Sequence, residues 1–184
     1  MKLRNIFLMA LPLVAAVSSC TRHAGEPAKR SLLLNNETNV DTEGYLFFKL
    51  AHEKAVYEVQ LAKYVQSVGA SAATKNLASK ISDLYGEMIP ELETLASTFH
   101  VVLPDPGIPG FSMPHHFATD SLTGFNNEAY TAHAQHEQGA ILEHFNRVSR
   151  NTSKTLKAYA NEKLPAVKEV FALAGGHEEH GAHH

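Results

Sequence analysis

Four stretches of the sequence carry apolar residues at helical spacing, and this periodicity constrains the fold more than any other feature. The stretches begin after Asp41, Ser71, about Phe125 and Ser153. In each of them apolar residues recur three, four or seven positions apart, which places them on one face of an α-helix. Asp and Ser suit helix starts because their side-chain oxygens accept hydrogen bonds from first-turn N–H groups. The sequence therefore predicts four amphipathic helices and an all-α protein.

Apolar positions at this spacing also predict which residues face the core. For the first helix these are Leu46, Leu50, Tyr57, Leu61, Tyr64 and Val68. The second helix is expected to bend at Pro90, because proline removes one backbone donor and clashes with the preceding turn.

Residues 100–122 contain four prolines and two glycines, which indicates a long crossing loop without regular structure. Two helical hairpins joined by such a crossover form a four-helix bundle with ferritin-like connectivity. The two predicted hairpins also resemble each other, since EMIPEL (87–92) and EKLPAV (162–167) each fall late in a second helix. Together these features predict a ferritin-like bundle over residues 40–175.

The N-terminus has the layout of a secretory signal. Lys2 and Arg4 precede an apolar run of about 12 residues, which is shorter than the roughly 20 needed to span a bilayer. The run ends in VSSC (17–20), which resembles the bacterial lipobox, and Cys20 is the only cysteine of the chain. We therefore predict a signal peptide at residues 1–19 and lipidation of Cys20. Thr21, which is not an aspartate, favours the outer membrane, facing the periplasm.

Residues 20–39 are polar and are predicted to form a flexible tether between the lipid and the bundle. Without Lys2 and Arg4, 14 basic residues stand against 19 acidic ones, and the chain has no basic stripe. Nucleic acid is therefore not an expected partner. The expected contacts are the membrane, through lipidated Cys20, and a protein or small molecule that the sequence does not identify.

Twelve histidines raise the question of metal binding, and four of them fall in the tail at residues 176–184. His177, His180, His183 and His184 could bind Zn, Ni or Cu, since imidazole suits these metals. The competing interpretation is a polar tail without a ligand. His133, His136 and His144 of the third helix are expected to lie on a solvated face, with a weak metal or pH-sensitive patch as the alternative.

A di-metal site of the ferritin type requires Glu-x-x-His on two helices, since residues three apart share a face. The sequence contains no Glu-x-x-His anywhere. Glu58 and Glu137 are possible interior acids that could still face each other across the core. Two acids without histidines make a poor iron site, so no resident cofactor is predicted.

Several segments together resemble the bacterial domain-of-unknown-function family 4142. They are AVYEVQL (55–61), residues 76–96, the Phe125 and Tyr130 start of the third helix, and KLPAVKEVFALA (163–174). The resemblance implies a ferritin-like bundle that is often exported and has no agreed activity. It also implies histidines late in helices two, three and four, at positions that hold Tyr85, Gln138 and Val170 here. Glu58 and Glu137 match the acids that it implies.

No enzyme activity is predicted from these features. Cys20 is taken up by the lipid, and no serine lies in a nucleophile-elbow motif. The expected function is a non-catalytic binding or stress-related role in the cell envelope. The alternatives are a ferritin-like metal protein centred on Glu58 and Glu137, and metal buffering by the histidine-rich tail.

Overall fold

Four α-helices make up most of the chain that the structure describes. In this computed structural model the described residues are 38–104, 111–118 and 124–177. The helices are α1 (Thr42–Ser67), α2 (Ala72–Thr98), α3 (Asn127–Val148) and α4 (Lys154–Leu173), with a 3-10 turn at His115–Phe117. Within these ranges the β structure consists of one isolated bridge between Ala118 and Phe125. The prediction of an all-α four-helix bundle is confirmed, while the ferritin-like relationship stays a prediction.

Polar side chains determine where each helix begins. The Asp41 carboxylate accepts a hydrogen bond from the N–H of Gly44 at 2.8 Å. Ser71, Asn126 and Ser153 accept first-turn N–H groups in the same way. Each bond satisfies a backbone donor that has no partner within its helix. The predicted starts after Asp41, Ser71 and Ser153 are confirmed.

The helices pack as two hairpins that lie side by side. Helix α1 packs mainly against α2 and α3, and α4 packs mainly against α3 and α2. Asn39 donates its backbone N–H to the Phe99 carbonyl at 2.9 Å, and the Asn151 amide donates to the Asp41 carboxylate at 3.0 Å. These bonds join the start of α1, the end of α2 and the α3–α4 turn. We call this end of the bundle, where the chain enters it, the entry end.

Helix α1 buries a face rotated from the predicted one. Leu61 is buried as expected, but Leu46 is 40% exposed. The buried apolar residues of the helix are Phe47, Phe48, Ala51, Ala55, Val59, Leu61, Ala62 and Val65. Residues 45–48 are all apolar, so their spacing is compatible with two different buried faces. On the observed face, the Phe47 ring packs edge-on against Phe145, with 5.0 Å between the ring centroids. No helix among the described residues is long and apolar enough to cross a membrane.

Two prolines lie inside helices without ending them. Helix α2 continues through Pro90, and α4 continues through Pro165. Both prolines are on the exposed side, and so is Gly86, whose carbonyl loses its usual partner at Pro90. Water can therefore satisfy that carbonyl, which explains how the helix continues past the proline. The bend at Pro90 stays a prediction.

The crossing segment is not wholly irregular, in contrast to the prediction. Its 3-10 turn inserts Phe117, which is fully buried, against α3. The Phe117 ring meets Tyr130 at 6.0 Å and His133 at 5.4 Å between centroids, both edge-on. The Phe117 carbonyl also accepts the N–H of Asn126, so the turn is held directly against the start of α3.

Gly176 should tolerate no side chain, because an added Cβ would lie 2.2 Å from the Phe171 ring. That ring also packs at 3.3 Å from the Cβ position of Gly139, so it is held on both sides. We expect Gly176→Ala to lower the free energy of unfolding by about 1–3 kcal/mol in urea titrations. The matched control is Gly86→Ala, which meets nothing within 4 Å and should raise stability by up to about 1 kcal/mol. Equal effects of the two substitutions would contradict this packing.

Candidate functional site

A buried carboxylate lies at the centre of the bundle. Glu58 projects from α1 and its side chain is 0% exposed. Its Oε1 atom lies 2.9 Å from Nε2 of His133 on α3, and the His133 side chain is 18% exposed. A buried acid is costly unless it is hydrogen-bonded or neutralised. His133 supplies a hydrogen bond, so this pair joins α1 to α3.

Three further polar side chains surround this pair. Tyr85 of α2 donates its hydroxyl hydrogen to Oε1 of Gln138 on α3, and both side chains are fully buried. Tyr130 lies one turn before His133 on α3 and is also fully buried. We refer to Glu58, Tyr85, Tyr130, His133 and Gln138 as the buried polar cluster, which draws on three of the four helices.

Burial and the Glu58 charge determine the protonation of the cluster. Burial raises the pKa of Glu58 above its ordinary value, although the hydrogen bond and charge of His133 act against this rise. Burial lowers the pKa of His133, but the hydrogen bond and charge of Glu58 outweigh it and raise the pKa overall. Burial, followed by the Glu58 charge, raises the pKa of the Tyr85 and Tyr130 hydroxyls, so both phenols stay protonated.

Three atoms of the cluster lack a hydrogen-bond partner although they are buried. They are Oε2 of Glu58, the hydroxyl of Tyr130 and Nε2 of Gln138. Buried polar atoms in folded proteins nearly always have a protein or water partner. Three such atoms in a single cluster therefore mark it as the least satisfied part of the described core.

The two acids of the alternative di-metal centre have separate partners. Glu58 is bonded to His133, whereas Oε2 of Glu137 lies 2.5 Å from Nζ of Lys54. Glu137 is 17% exposed and therefore lies at the margin of the core. In the ranges that the structure covers, no group of three or more His, Cys, Asp and Glu side chains could hold a metal ion together.

The positions at which the resemblance implies histidines form part of the cluster. Tyr85 and Gln138 bond to each other, while Val170 is buried and apolar. A phenol donating to an amide fills the space between α2 and α3 with a neutral pair. This pair offers no imidazole, so the donor set here differs from the one that the resemblance implies.

Contrary to the prediction, the histidines of α3 do not share one solvated face. His136 is 80% exposed, but His133 points inward to Glu58, and His144 is partly buried, which lowers its pKa. The available signal was helical spacing, since His133 lies three residues after Tyr130 and eight before Ile141, which are both buried.

The remaining predicted site residues are on or beyond the edge of the described chain. His177 is exposed and follows the end of α4. Cys20, His180, His183 and His184 lie outside the described residues. Lipidation and tail metal binding therefore stay predictions.

An open cleft of about 480 Å³ lies between the last turns of α2 and the first half of α4. Pro90, Leu95 and Tyr159 provide its apolar surface, and Glu91 and Glu162 stand at its side. Lys163 bridges these two acids, with Nζ 2.7 Å from Glu91 and 3.2 Å from Glu162. The cleft therefore has an apolar surface and a charged edge formed by ion-paired side chains.

Stability should fall as pH rises through the titration of His133. Its pKa is raised in the folded state, so the pair contributes fully below about pH 6.5 and is lost as pH rises through the raised value. The raised pKa of Glu58 has the same sign, acting from about pH 4.5 upward. We expect urea titrations between pH 6 and 9 to show this loss, by up to about 1–2 kcal/mol.

The test variant is His133→Gln, which can donate a hydrogen bond to Glu58 but does not titrate in this range. Its unfolding free energy should vary less with pH than that of the wild type. His136→Gln is the control, because His136 is 80% exposed, and it should keep the wild-type slope. A wild-type slope in His133→Gln would show that the pair does not carry the effect.

Comparison with known proteins identifies the chain at the level of a family. The model of the family described as "Domain of unknown function (DUF4142)" matches residues 32–175, which cover the whole bundle. No curated protein and no solved structure matches the chain significantly. Since the match spans more than half of the sequence, the chain belongs to the DUF4142 family.

Proposed function

We propose that this protein is a lipid-anchored, non-catalytic helical bundle of the cell envelope. One observation supports the non-catalytic part: the ionisable groups in and beside the core bond to each other. His133 bonds to Glu58, Lys54 to Glu137, and buried His52 to Glu93 at 3.1 Å. A general acid or base needs a substrate within hydrogen-bond reach, and here those bonds are already made within the bundle.

The anchoring part of the proposal is supported by the N-terminal sequence. The basic start, the short apolar run and VSSC (17–20) are typical of a bacterial lipoprotein. The bundle receives the preceding chain at the entry end, beside Phe99. Attachment at Cys20 would then leave residues 21–37 between the lipid and this end. Location at the outer membrane, facing the periplasm, is part of the same proposal.

Metabolic labelling with radioactive palmitate tests the anchor. The wild-type protein should incorporate label and partition into detergent, because two or more acyl chains give stable membrane attachment. Cys20→Ala should lose both properties, while Thr21→Ala, which leaves the cysteine intact, should keep them. A Cys20→Ala protein that still takes up label would refute lipidation at this thiol.

The open cleft is our proposed contact surface for a partner. It combines apolar side chains with a few fixed polar groups, the composition that is typical of binding sites. It also begins next to Phe99, at the same end as the proposed tether. A partner in the envelope could therefore reach it beside the membrane attachment point.

The competing function is metal binding, either by the core or by the tail. The core would have to use Glu58 and Glu137, which have separate partners, and the neighbouring Tyr85–Gln138 pair adds no imidazole. These donors are a poor fit to a di-iron centre, which needs bridging carboxylates together with histidines. The tail is favoured only by its composition, with four histidines in eight residues.

Elemental analysis separates these alternatives. We expect the domain lacking residues 176–184 to purify without stoichiometric iron, because its core lacks the required ligands. Zinc or nickel that is present in the full-length protein and lost with these residues would assign metal binding to the tail. Stoichiometric iron in the tail-less protein, lost in Glu58→Gln, would instead establish a metal centre in the core.

A further inference from the structure

A group of exposed positive charges lies at the entry end, in the turn that joins α3 to α4. Residues 144–161 contain four basic residues and no acidic one, and all four basic residues are exposed. They are Arg147, Arg150, Lys154 and Lys157. Residues three positions apart on a helix are surface neighbours, so Lys154 and Lys157 lie side by side at the start of α4.

Acidic side chains neutralise only part of this charge. Arg147 is ion-paired with Glu143 and lies 3.9 Å from Glu43. The Asp41 carboxylate at the same end accepts hydrogen bonds from Asn151. Within the described ranges, no ion pair involves the other three cations. We call these three residues the basic turn: Arg150, Lys154 and Lys157.

The stability of α4 does not account for its two N-terminal lysines. Lys154 is the first residue of the helix, Lys157 lies in the same turn, and the first turn has no acidic residue. The N-terminus of a helix carries a partial positive charge, so cations there are unfavourable. The two lysines therefore oppose the helix dipole, which indicates a role outside the fold.

Exposed apolar side chains lie at the same end of the bundle. Leu46, in the second turn of α1, is 40% exposed, and Val102, which follows the end of α2, is 64% exposed. Cations next to exposed apolar side chains are typical of surfaces that bind the interface of an anionic bilayer. The entry end thus offers both kinds of contact that such an interface requires.

We infer that the entry end is a contact surface for anionic phospholipids, with the basic turn against their headgroups. The Asn39 N–H bonds to the Phe99 carbonyl, so the preceding chain leaves the bundle at this same end. Lipidation of Cys20 would then hold the basic turn beside the bilayer, and this step rests on the proposed function. The attraction between the basic turn and anionic headgroups does not need the lipid, so the two can be tested separately.

Vesicle co-sedimentation of the unlipidated protein tests the surface. The protein comprises residues 20–184 with Cys20→Ala, and the vesicles contain about one-third phosphatidylglycerol in phosphatidylcholine. We expect binding that weakens with added salt and is lost on pure phosphatidylcholine vesicles. Replacing all three residues of the basic turn by Gln should weaken binding at least about tenfold, because each cation near an anionic surface contributes roughly fivefold. This variant should be no less stable in urea than the wild type, because it removes charges that oppose the helix dipole.

The matched control removes three lysines nearer the opposite end of the bundle. Lys63→Gln, Lys75→Gln and Lys80→Gln together change the net charge by the same amount, on either side of the α1–α2 turn. This control should bind as the wild type does. Equal losses in the two triple variants, or wild-type binding by the basic-turn variant, would overturn the inference. Palmitate labelling decides the anchor independently, so failure of the anchor and failure of this surface are distinguishable.

Tryptophan fluorescence tests which end of the bundle meets the bilayer. The chain contains no tryptophan, so Leu46→Trp places a single probe at the entry end. Leu173→Trp is the control, because Leu173 is 47% exposed and ends α4 at the opposite end. Anionic vesicles should shift the emission of Leu46→Trp to shorter wavelength and leave that of Leu173→Trp unchanged. No shift at position 46, or an equal shift at both positions, would refute contact through the entry end.

Discussion

The bundle is organised around a carboxylate that has been removed from water. Glu58 is fully buried, and the nearest compensation, His133, comes from another helical hairpin. Removing one member of such a pair is costly because the other is left buried without a partner. A polar pair with one good geometry can also select one helix register, since apolar packing alone tolerates several. The Glu58–His133 contact therefore joins α1 to α3 in addition to the surrounding hydrophobic side chains.

The crossing segment contributes to the same region. Phe117 packs edge-on against both Tyr130 and His133, so the described part of the crossing segment contacts the cluster directly. Phe111, farther up the segment, meets Tyr57 at 5.7 Å, and Tyr57 in turn lies 6.1 Å from the His133 ring. The connection therefore shields the Glu58–His133 pair from solvent. This shielding strengthens the electrostatic interaction between them, because the local dielectric constant is lowered.

Membership of the DUF4142 family does not by itself transfer a ligand set to this chain. Tyr85 and Gln138 occupy positions at which the resemblance implies histidines, and they form a neutral bonded pair. Glu58 and Glu137, which match the implied acids, are held by His133 and Lys54. The central groups of this protein thus form two hydrogen-bonded pairs, Glu58 with His133 and Tyr85 with Gln138.

The sequence by itself determined the helices, their starts and the division into two hairpins, because capping and apolar spacing are local properties. It also identified Glu58 as a possible interior acid. It could not determine which face of α1 is buried, because residues 45–48 are all apolar. Only the packing of Phe47 against Phe145 distinguishes the two possible faces. Nor could it show that His133 turns inward, because its partner lies 75 positions away and the bond exists only once the hairpins are packed. Local sequence patterns therefore predict most of the fold. The buried polar cluster depends on tertiary structure, because only the packing of the helices determines which polar groups are buried together.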